Sequence, residues 1–357
     1  MDFADKRILT TPIADESAWR GADMAQSPGW LHRLTPTYID EIDRAVEGLR
    51  RNGRTLETVT RADFPFPTFG VFLKRFLWHD IAGRGFGIVR GLPRERYTDD
   101  EIGMLFWGIG FHMGIGVSQN PEGHLLGHVI SFGEDRNALD VRGYRTSAKL
   151  NYHNDPSDVV GLLCLRKSKE GGLSSVVSGM TLYNIVLQEH PEYLPVLYRG
   201  FRCDRRKQNP WFLAPVSNRV PVFSQVDGEL SIRYLRIVIN TACIKLNQPL
   251  SNFEAEALDF IDTAADRPGV ALHMAFEEGD MQFVNNYTAL HARTAFVDYD
   301  EPERKRHLLR LWLKIPGFRK LADDFIEYEE SSGWSRREGF LPHDAPMPKT
   351  QPHPLFV

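Results

Sequence analysis

The chain has 357 residues, 42% of them hydrophobic, which is enough to bury a large core. Its net charge of −4 gives no basis for binding nucleic acid or an anionic membrane surface. No uninterrupted apolar run approaches the length of about eighteen residues that a membrane-spanning helix needs.

Three scattered cysteines, Cys164, Cys203 and Cys243, fit neither a disulfide framework nor a zinc site. The start "MDFADKRILTTPIADESAW" is acidic where a secretory signal is basic and apolar, so the expectation is a cytoplasmic protein. Residues 1 to about 60 predict an irregular arm and one helix, "TPTYIDEIDRAVEGLRR". "TFGVFLKRFLWHDIA" predicts a second helix, leading into the strand "GFGIVRGLP". Thr98 with Glu101 three residues later is a capping box that opens a third helix. From about residue 124 short strands dominate: "HLLGHVISF", "DVVGLLCLR", "SSVVS", "VPVFSQ", "LSIRYLRIVI", "DMQFVNN" and "HLLRLWLK". Between them "MTLYNIVLQEHPEYL" reads as a helix from Ser178 to about Glu189, stopped by Pro191. A helical insertion, "NFEAEALDFIDTAA", follows residue 250, and the Pro-rich tail after 331 reads as extended. Early helices followed by many short strands indicate an α+β fold on a β-sandwich or jelly roll.

The segment "NYHNDPSD" places His153 and Asp155 two residues apart. On an extended backbone their side chains share a face, where a metal could sit. A second His-x-acid pair, His190–Glu192, shows how easily the pattern arises. His190 ends a predicted helix, where a histidine sits well against the dipole. A third ligand for the first pair should come from a distant strand, and His291 in "NNYTALHART" is the candidate. Two histidines and one carboxylate leave three positions open, which suits non-haem Fe(II). Tetrahedral zinc with a third histidine is the competing reading.

In "RHLLRLWLK", read as a strand, Arg306, Leu308, Arg310 and Trp312 face one side and His307, Leu309, Leu311 and Leu313 the other. Two guanidinium groups on an otherwise apolar face each need an anion. The bland alternative is a pair of salt bridges to Asp298, Asp300 or Glu303. His79, His112, His124, His128, His273 and His307 read as hydrogen-bonded packing residues, and Arg293 as the partner of a neighbouring acid.

With these segments together, the chain resembles the taurine dioxygenase (TauD/TfdA) family of Fe(II)/2-oxoglutarate-dependent oxygenases, from about Gly85 to Pro316. The resemblance rests on "GFGIVRGLP…TDDEIGMLFWGIG", "YHNDPSD", "GGLSSVVS" and "NNYTALHART…RHLLRLWL". It implies that His153, Asp155 and His291 bind the metal and that Arg306 clamps the far carboxylate of 2-oxoglutarate. Ser174 falls where the family often has a threonine touching that carboxylate. Arg310 matches a position that meets an anionic group of the substrate or the near end of 2-oxoglutarate. Asn286 matches a residue that shapes a turn, and Asn285 replaces the family's usual aspartate, which should weaken that turn.

The implied fold is one oxygenase domain over 1–357. It has an arm and helices over about 1–84, a double-stranded β-helix core with flanking helices over about 85–316, and a C-terminal helix and extended tail over about 317–357. The implied cofactors are Fe(II), 2-oxoglutarate and O2, with 2-oxoglutarate converted to succinate and CO2. Retention of Asp155 points to hydroxylation or desaturation, because halogenating relatives replace this carboxylate with a small residue. A cupin-type metal enzyme that does not use 2-oxoglutarate and a non-catalytic metabolite-binding member are the alternatives. The expected partner is a small-molecule substrate, with a homo-oligomer also allowed. The segment from Phe201 to Val222 suits a lid over a small polar or anionic molecule, and equally a surface loop or oligomer contact.

Overall fold

The computed structural model describes residues 5–120, 122–133, 146–206 and 214–325, and the short pieces 328–329 and 334–335. Nine strands build the core: β1 (Phe86–Arg90), β2 (Leu126–Ile130), β3 (Leu150–His153), β4 (Val159–Arg166), β5 (Ser174–Ser178), β6 (Leu272–Met274), β7 (Met281–Asn285), β8 (Ala289–Arg293) and β9 (His307–Lys314). The larger sheet runs β1-β7-β4-β9-β2, with Leu31–Arg33 and Ile115–Gly116 added at its margins. The smaller sheet runs β6-β5-β8-β3. Within each run all neighbours are antiparallel, and the two sheets form a double-stranded β-helix.

Strand alternation divides the apolar residues between two surfaces. Phe86, Val160, Cys164, Val176, Val284, Leu308 and Trp312 meet between the sheets. Leu163, Phe283, Leu309, Leu311 and Leu313 turn outward onto a layer of helices that includes Pro36–Arg51, Phe69–Phe76 and Asp99–Gly110. The outer face of the smaller sheet, through Val177 and Leu290, packs beneath Gly179–Glu189 and Asn252–Ala265. Gly161 is the thin spot of β4. A Cβ there would lie 2.9 Å from the Phe283 ring and 3.0 Å from that of Phe106.

The predicted capping box is present, with the Thr98 hydroxyl accepting from the Glu101 amide at 3.2 Å and the Glu101 carboxylate accepting from the Thr98 amide at 2.9 Å. The structure departs from expectation elsewhere. "LSIRYLRIVI" is not one strand: it ends as a strand at Ile232 and continues as the helix Arg236–Leu246. Its run of β-branched residues favours a strand locally, but burial of Val238, Ile239, Thr241 and Ala242 follows helical spacing, and packing overrides propensity. The helix after Thr68 widens into a π-helix over Leu77–Arg84 and stops at Gly85, whose φ of +101° favours glycine.

The only element that the described residues show between 317 and 325 is a one-turn 3₁₀ helix, Asp323–Phe325. The tail predicted as extended lies almost wholly outside the described residues. The segment from Phe201 to Val222 forms a hairpin of Phe201–Asp204 and Val216–Val220, with 207–213 outside the described residues. Among the described residues no helix is long and apolar enough to cross a membrane.

Candidate active site

His153 and His291 are brought together by strand register. They sit directly opposite one another in the antiparallel pair β3–β8, and their ring centroids are 4.2 Å apart. Asp155 follows two residues after His153, past the end of β3, in a loop fastened from several sides. The Asp155 amide donates to Asn286 Oδ1 at 3.0 Å, and Asn286 Nδ2 donates to the Ser157 carbonyl at 3.0 Å. Asn154 donates to the Ala289 carbonyl at 2.8 Å and accepts from the Tyr234 amide at 2.7 Å. Asp158, fully buried, accepts from the Tyr287 hydroxyl at 2.6 Å and from the Ile315 amide at 2.7 Å. The loop carrying Asp155 is therefore tied to the turn before β8 and to the end of β9.

One donor atom from each of His153, Asp155 and His291 lies within 4.8 Å of the others, and all three residues are buried. Burial, opposed in part by Asp155, lowers the pKa of His153, and burial together with the neighbouring His153 lowers that of His291 to about 3. Both rings are therefore neutral and able to donate lone pairs at neutral pH. Burial alone would raise Asp155. Arg310, helped by a hydrogen bond from Trp312, outweighs it and holds the carboxyl below its ordinary range. His153 Nδ1 is fixed by the Asn151 carbonyl at 2.9 Å, which turns Nε2 towards the site. Two neutral imidazoles and one carboxylate, with no fourth His, Cys, Asp or Glu joining them among the described residues, match a facial iron site.

The open side of this triad faces a pocket with about 460 Å³ of unfilled space, its mouth included. Arg306, Arg310, Arg293 and Ser174 line it, with Val129, Leu162, Leu308 and Phe276 among the apolar walls. Arg306 is only 4% exposed, and no carboxylate pairs with its guanidinium among the described residues. Burial lowers its pKa to about 10, so the group remains cationic at neutral pH. It rests 5.3 Å from the Phe296 ring, and Gly172 presses close behind it, where a Cβ would lie 3.2 Å from Nε. Asp298 accepts from the Arg306 backbone amide at 2.7 Å, not from its side chain. The bland salt-bridge alternative therefore does not hold for Arg306.

The structure places the remaining predicted residues as follows. The Ser174 hydroxyl lines the same pocket and donates to Gln282 Oε1 at 2.9 Å. Arg310 also lines it, but its Nη1 lies 3.4 Å from Asp155 Oδ1 and its Nε donates to Gln119 Oε1 at 2.8 Å. Among the described residues the acid it meets is a metal-site carboxylate and not Asp298, Asp300 or Glu303. Arg293 donates to the carbonyls of Thr146 and Ala148 and stacks 4.6 Å from Phe296. His190 stands apart, hydrogen-bonded to Glu192 at 2.9 Å.

Asn285 holds its turn at two points. Its Oδ1 accepts from the Tyr287 amide at 2.9 Å, as an aspartate could, and its Nδ2 also donates to the Ile81 carbonyl of the π-helix at 3.1 Å. Trp312 and Gln119 were not foreseen. The Trp312 indole N–H donates to Asp155 Oδ2 at 3.0 Å. A signal for Trp312 did exist, because a tryptophan on an inward face needs an acceptor for its N–H. Gln119 carries no such signal.

A buried facial triad of two histidines and an aspartate, set in a double-stranded β-helix and opening on a cationic pocket, defines a non-haem iron oxygenase site. Residues 50–312 match the taurine catabolism dioxygenase TauD, TfdA family, and the chain belongs to that family of non-haem Fe(II)/2-oxoglutarate-dependent oxidoreductases. It is 33% identical over 317 residues to an FR-33289 synthase of Streptomyces rubellomurinus, covering 88% of this chain and 93% of that protein. It is 28% identical over 353 residues to the taurine hydroxylase-like protein SAT17 of Stachybotrys chartarum, covering 92% and 89%. Among solved structures it is similar to asparagine oxygenase in complex with Fe(II), 3-hydroxyasparagine and succinate. That match has a TM-score of 0.64 at 17% identity and covers 80% of this chain and 93% of the other. The oxygenase OrfP with Fe and alpha-ketoglutaric acid superposes with a TM-score of 0.59 at 14% identity, covering 80% and 94%.

Proposed function

We propose that this enzyme holds Fe(II) on His153, Asp155 and His291, binds 2-oxoglutarate through Arg306 and Ser174, and hydroxylates or desaturates a small polar or anionic organic molecule. The observation that carries this reading is Arg306: a cation 4% exposed, lining the triad's pocket, with no protein carboxylate on its guanidinium among the described residues. Burying a guanidinium that Asp298 favours only from a distance, without an ion pair, is costly unless an anion arrives. A dicarboxylate that chelates the metal at one end would deliver its other carboxylate to such a group.

When bound, the iron supplies oxygen activation, with 2-oxoglutarate as the source of two electrons and succinate and CO2 as its products. The chain's own residues bind and orient. Arg306 offers a planar fork to the far carboxylate, a charge-assisted grip that an ammonium could not reproduce. The Ser174 hydroxyl, now turned to Gln282, can reorient towards the same carboxylate. Val129, Leu162, Leu308 and Phe276 keep water from this end of the pocket. Arg310 is assigned to a polar or anionic group of the substrate, and the hydroxy-amino-acid products bound in the structural relatives support a substrate of this size.

The test is incubation of the enzyme with Fe(II), ascorbate, 2-oxoglutarate and a metabolite extract, followed by mass spectrometry. The expected result is succinate matched to a product that has gained one oxygen atom or lost two hydrogens. Succinate no higher than in the metal-free control would remove the reading.

A further inference from the structure

Asp155 is gripped at both oxygens by residues two apart on β9. Arg310 Nη1 lies 3.4 Å from Oδ1, and the Trp312 indole N–H donates to Oδ2 at 3.0 Å. Residues two apart on a strand share a face and stand roughly 6–7 Å apart, so they can straddle one carboxylate. The Arg310 guanidinium also lies over the Trp312 ring, 4.6 Å from its centre. Behind it sits Gln119, 1% exposed. Its Oε1 accepts from Arg310 Nε at 2.8 Å, while its amide N–H groups donate to the carbonyls of Arg310 at 2.6 Å and Leu125 at 3.1 Å. Space for Gln119 is reserved by Gly127, where a Cβ would lie 2.6 Å from Oε1.

This arrangement decides a competition. An arginine beside a carboxylate favours a two-point grip on both oxygens. Here that grip would engage Oδ2, the oxygen 3.8 Å from His291 Nε2, and take it from the metal. The indole instead holds Oδ2 on the histidine side, 3.8 Å from His291 Nε2, and Gln119 keeps Arg310 Nε occupied.

We propose that Trp312 and Gln119 are positioning residues that stop Arg310 from capturing Asp155, so that the carboxylate stays directed at the metal. The proposal rests on the assignment of His153, Asp155 and His291 as the metal ligands, and not on the use of 2-oxoglutarate. Outer partners of metal ligands typically change metal affinity by about 10–100-fold.

The experiment is anaerobic titration of the metal-free protein with Fe(II) alone, together with the ligand-field spectrum of its Co(II) form. Trp312→Phe keeps an aromatic ring for Arg310 to stack on but removes the N–H. It should weaken Fe(II) binding by about 10–100-fold and shift the Co(II) spectrum. Gln119→Leu should act in the same direction with the indole intact, and it carries the test should Trp312→Phe not fold. Adding Arg310→Gln to Trp312→Phe should raise Fe(II) affinity by more than Arg310→Gln raises it in the wild type, an excess that a merely structural role for Trp312 would not produce. Wild-type affinity in Trp312→Phe, or a gain in the double variant no larger than Arg310→Gln gives alone, overturns the proposal. Asp155→Ala separates the two levels. If it binds Fe(II) like the wild type, the triad assignment itself has failed. If it has lost the metal while Trp312→Phe has not, only the positioning proposal falls.

Discussion

Replacing Arg306 by leucine isolates the interaction on which co-substrate binding should depend. The wild-type guanidinium is 4% exposed and has no carboxylate partner among the described residues, and burial has already lowered its pKa to about 10. Asp298 favours that charge only from a distance, so it has no direct ion pair until an anion enters. Truncating one side of a buried, hydrogen-bonded charge pair costs about 2–5 kcal/mol. That corresponds to a rise of roughly 30-fold to several-thousand-fold in the 2-oxoglutarate concentration needed for half-maximal succinate formation. Arg306→Lys should recover only part of the loss, since an ammonium lacks the fork. The stability effect should have the opposite sign. Leucine removes a buried cation that no ion pair holds, so the metal-free variant should melt no earlier than the wild type. The assay is succinate release against 2-oxoglutarate concentration, with thermal melts of both proteins. An Arg306→Leu enzyme that titrates with 2-oxoglutarate like the wild type would refute the reasoning.

Arg310→Gln removes a cation beside Asp155, so Fe(II) affinity should hold or rise while succinate formation uncouples from product; an unchanged succinate-to-product ratio counts against a substrate role. Glu101 is held at about 2 by Arg50, with burial opposing and the Thr98 amide assisting. Its folded pKa is depressed, so the stability it contributes is present above its unfolded value near 4.5 and is lost as pH falls towards 2. Glu101→Gln should flatten that part of a stability-against-pH curve, and an unaltered curve would show that the ion pair is not felt. Gly161→Ala forces a methyl against Phe283 and Phe106 and should cost about 1–3 kcal/mol in denaturant melts, with an unshifted midpoint as the contrary result.

How far the site could be read in advance varies with the physics involved. His153, Asp155 and His291 were legible because metal chemistry restricts residue type and strand parity restricts direction. The inward face of Arg306, Leu308, Arg310 and Trp312 followed from the same alternation, and Leu309, Leu311 and Leu313 do pack against helices. What Arg310 touches was not legible. Asp155 is 155 residues away in sequence, and their meeting depends on how β9 packs across the metal loop. The helix Arg236–Leu246 was misread because three β-branched residues in a row carry a strand signal that only tertiary contacts reverse. The second partner of Asn285, the Ile81 carbonyl, was not legible because it belongs to a π-helix that the local pattern does not announce.

The central claim is that His153, Asp155 and His291 hold one iron to which 2-oxoglutarate also binds. Anaerobic addition of Fe(II) and then 2-oxoglutarate to the metal-free enzyme tests it most directly, because chelation of iron by the keto acid gives a weak visible charge-transfer band. The account predicts that this band saturates at one iron per chain in the wild type and in His190→Ala, and is absent in His291→Ala. A band of wild-type intensity in His291→Ala, or none in the iron-loaded wild type, would contradict it.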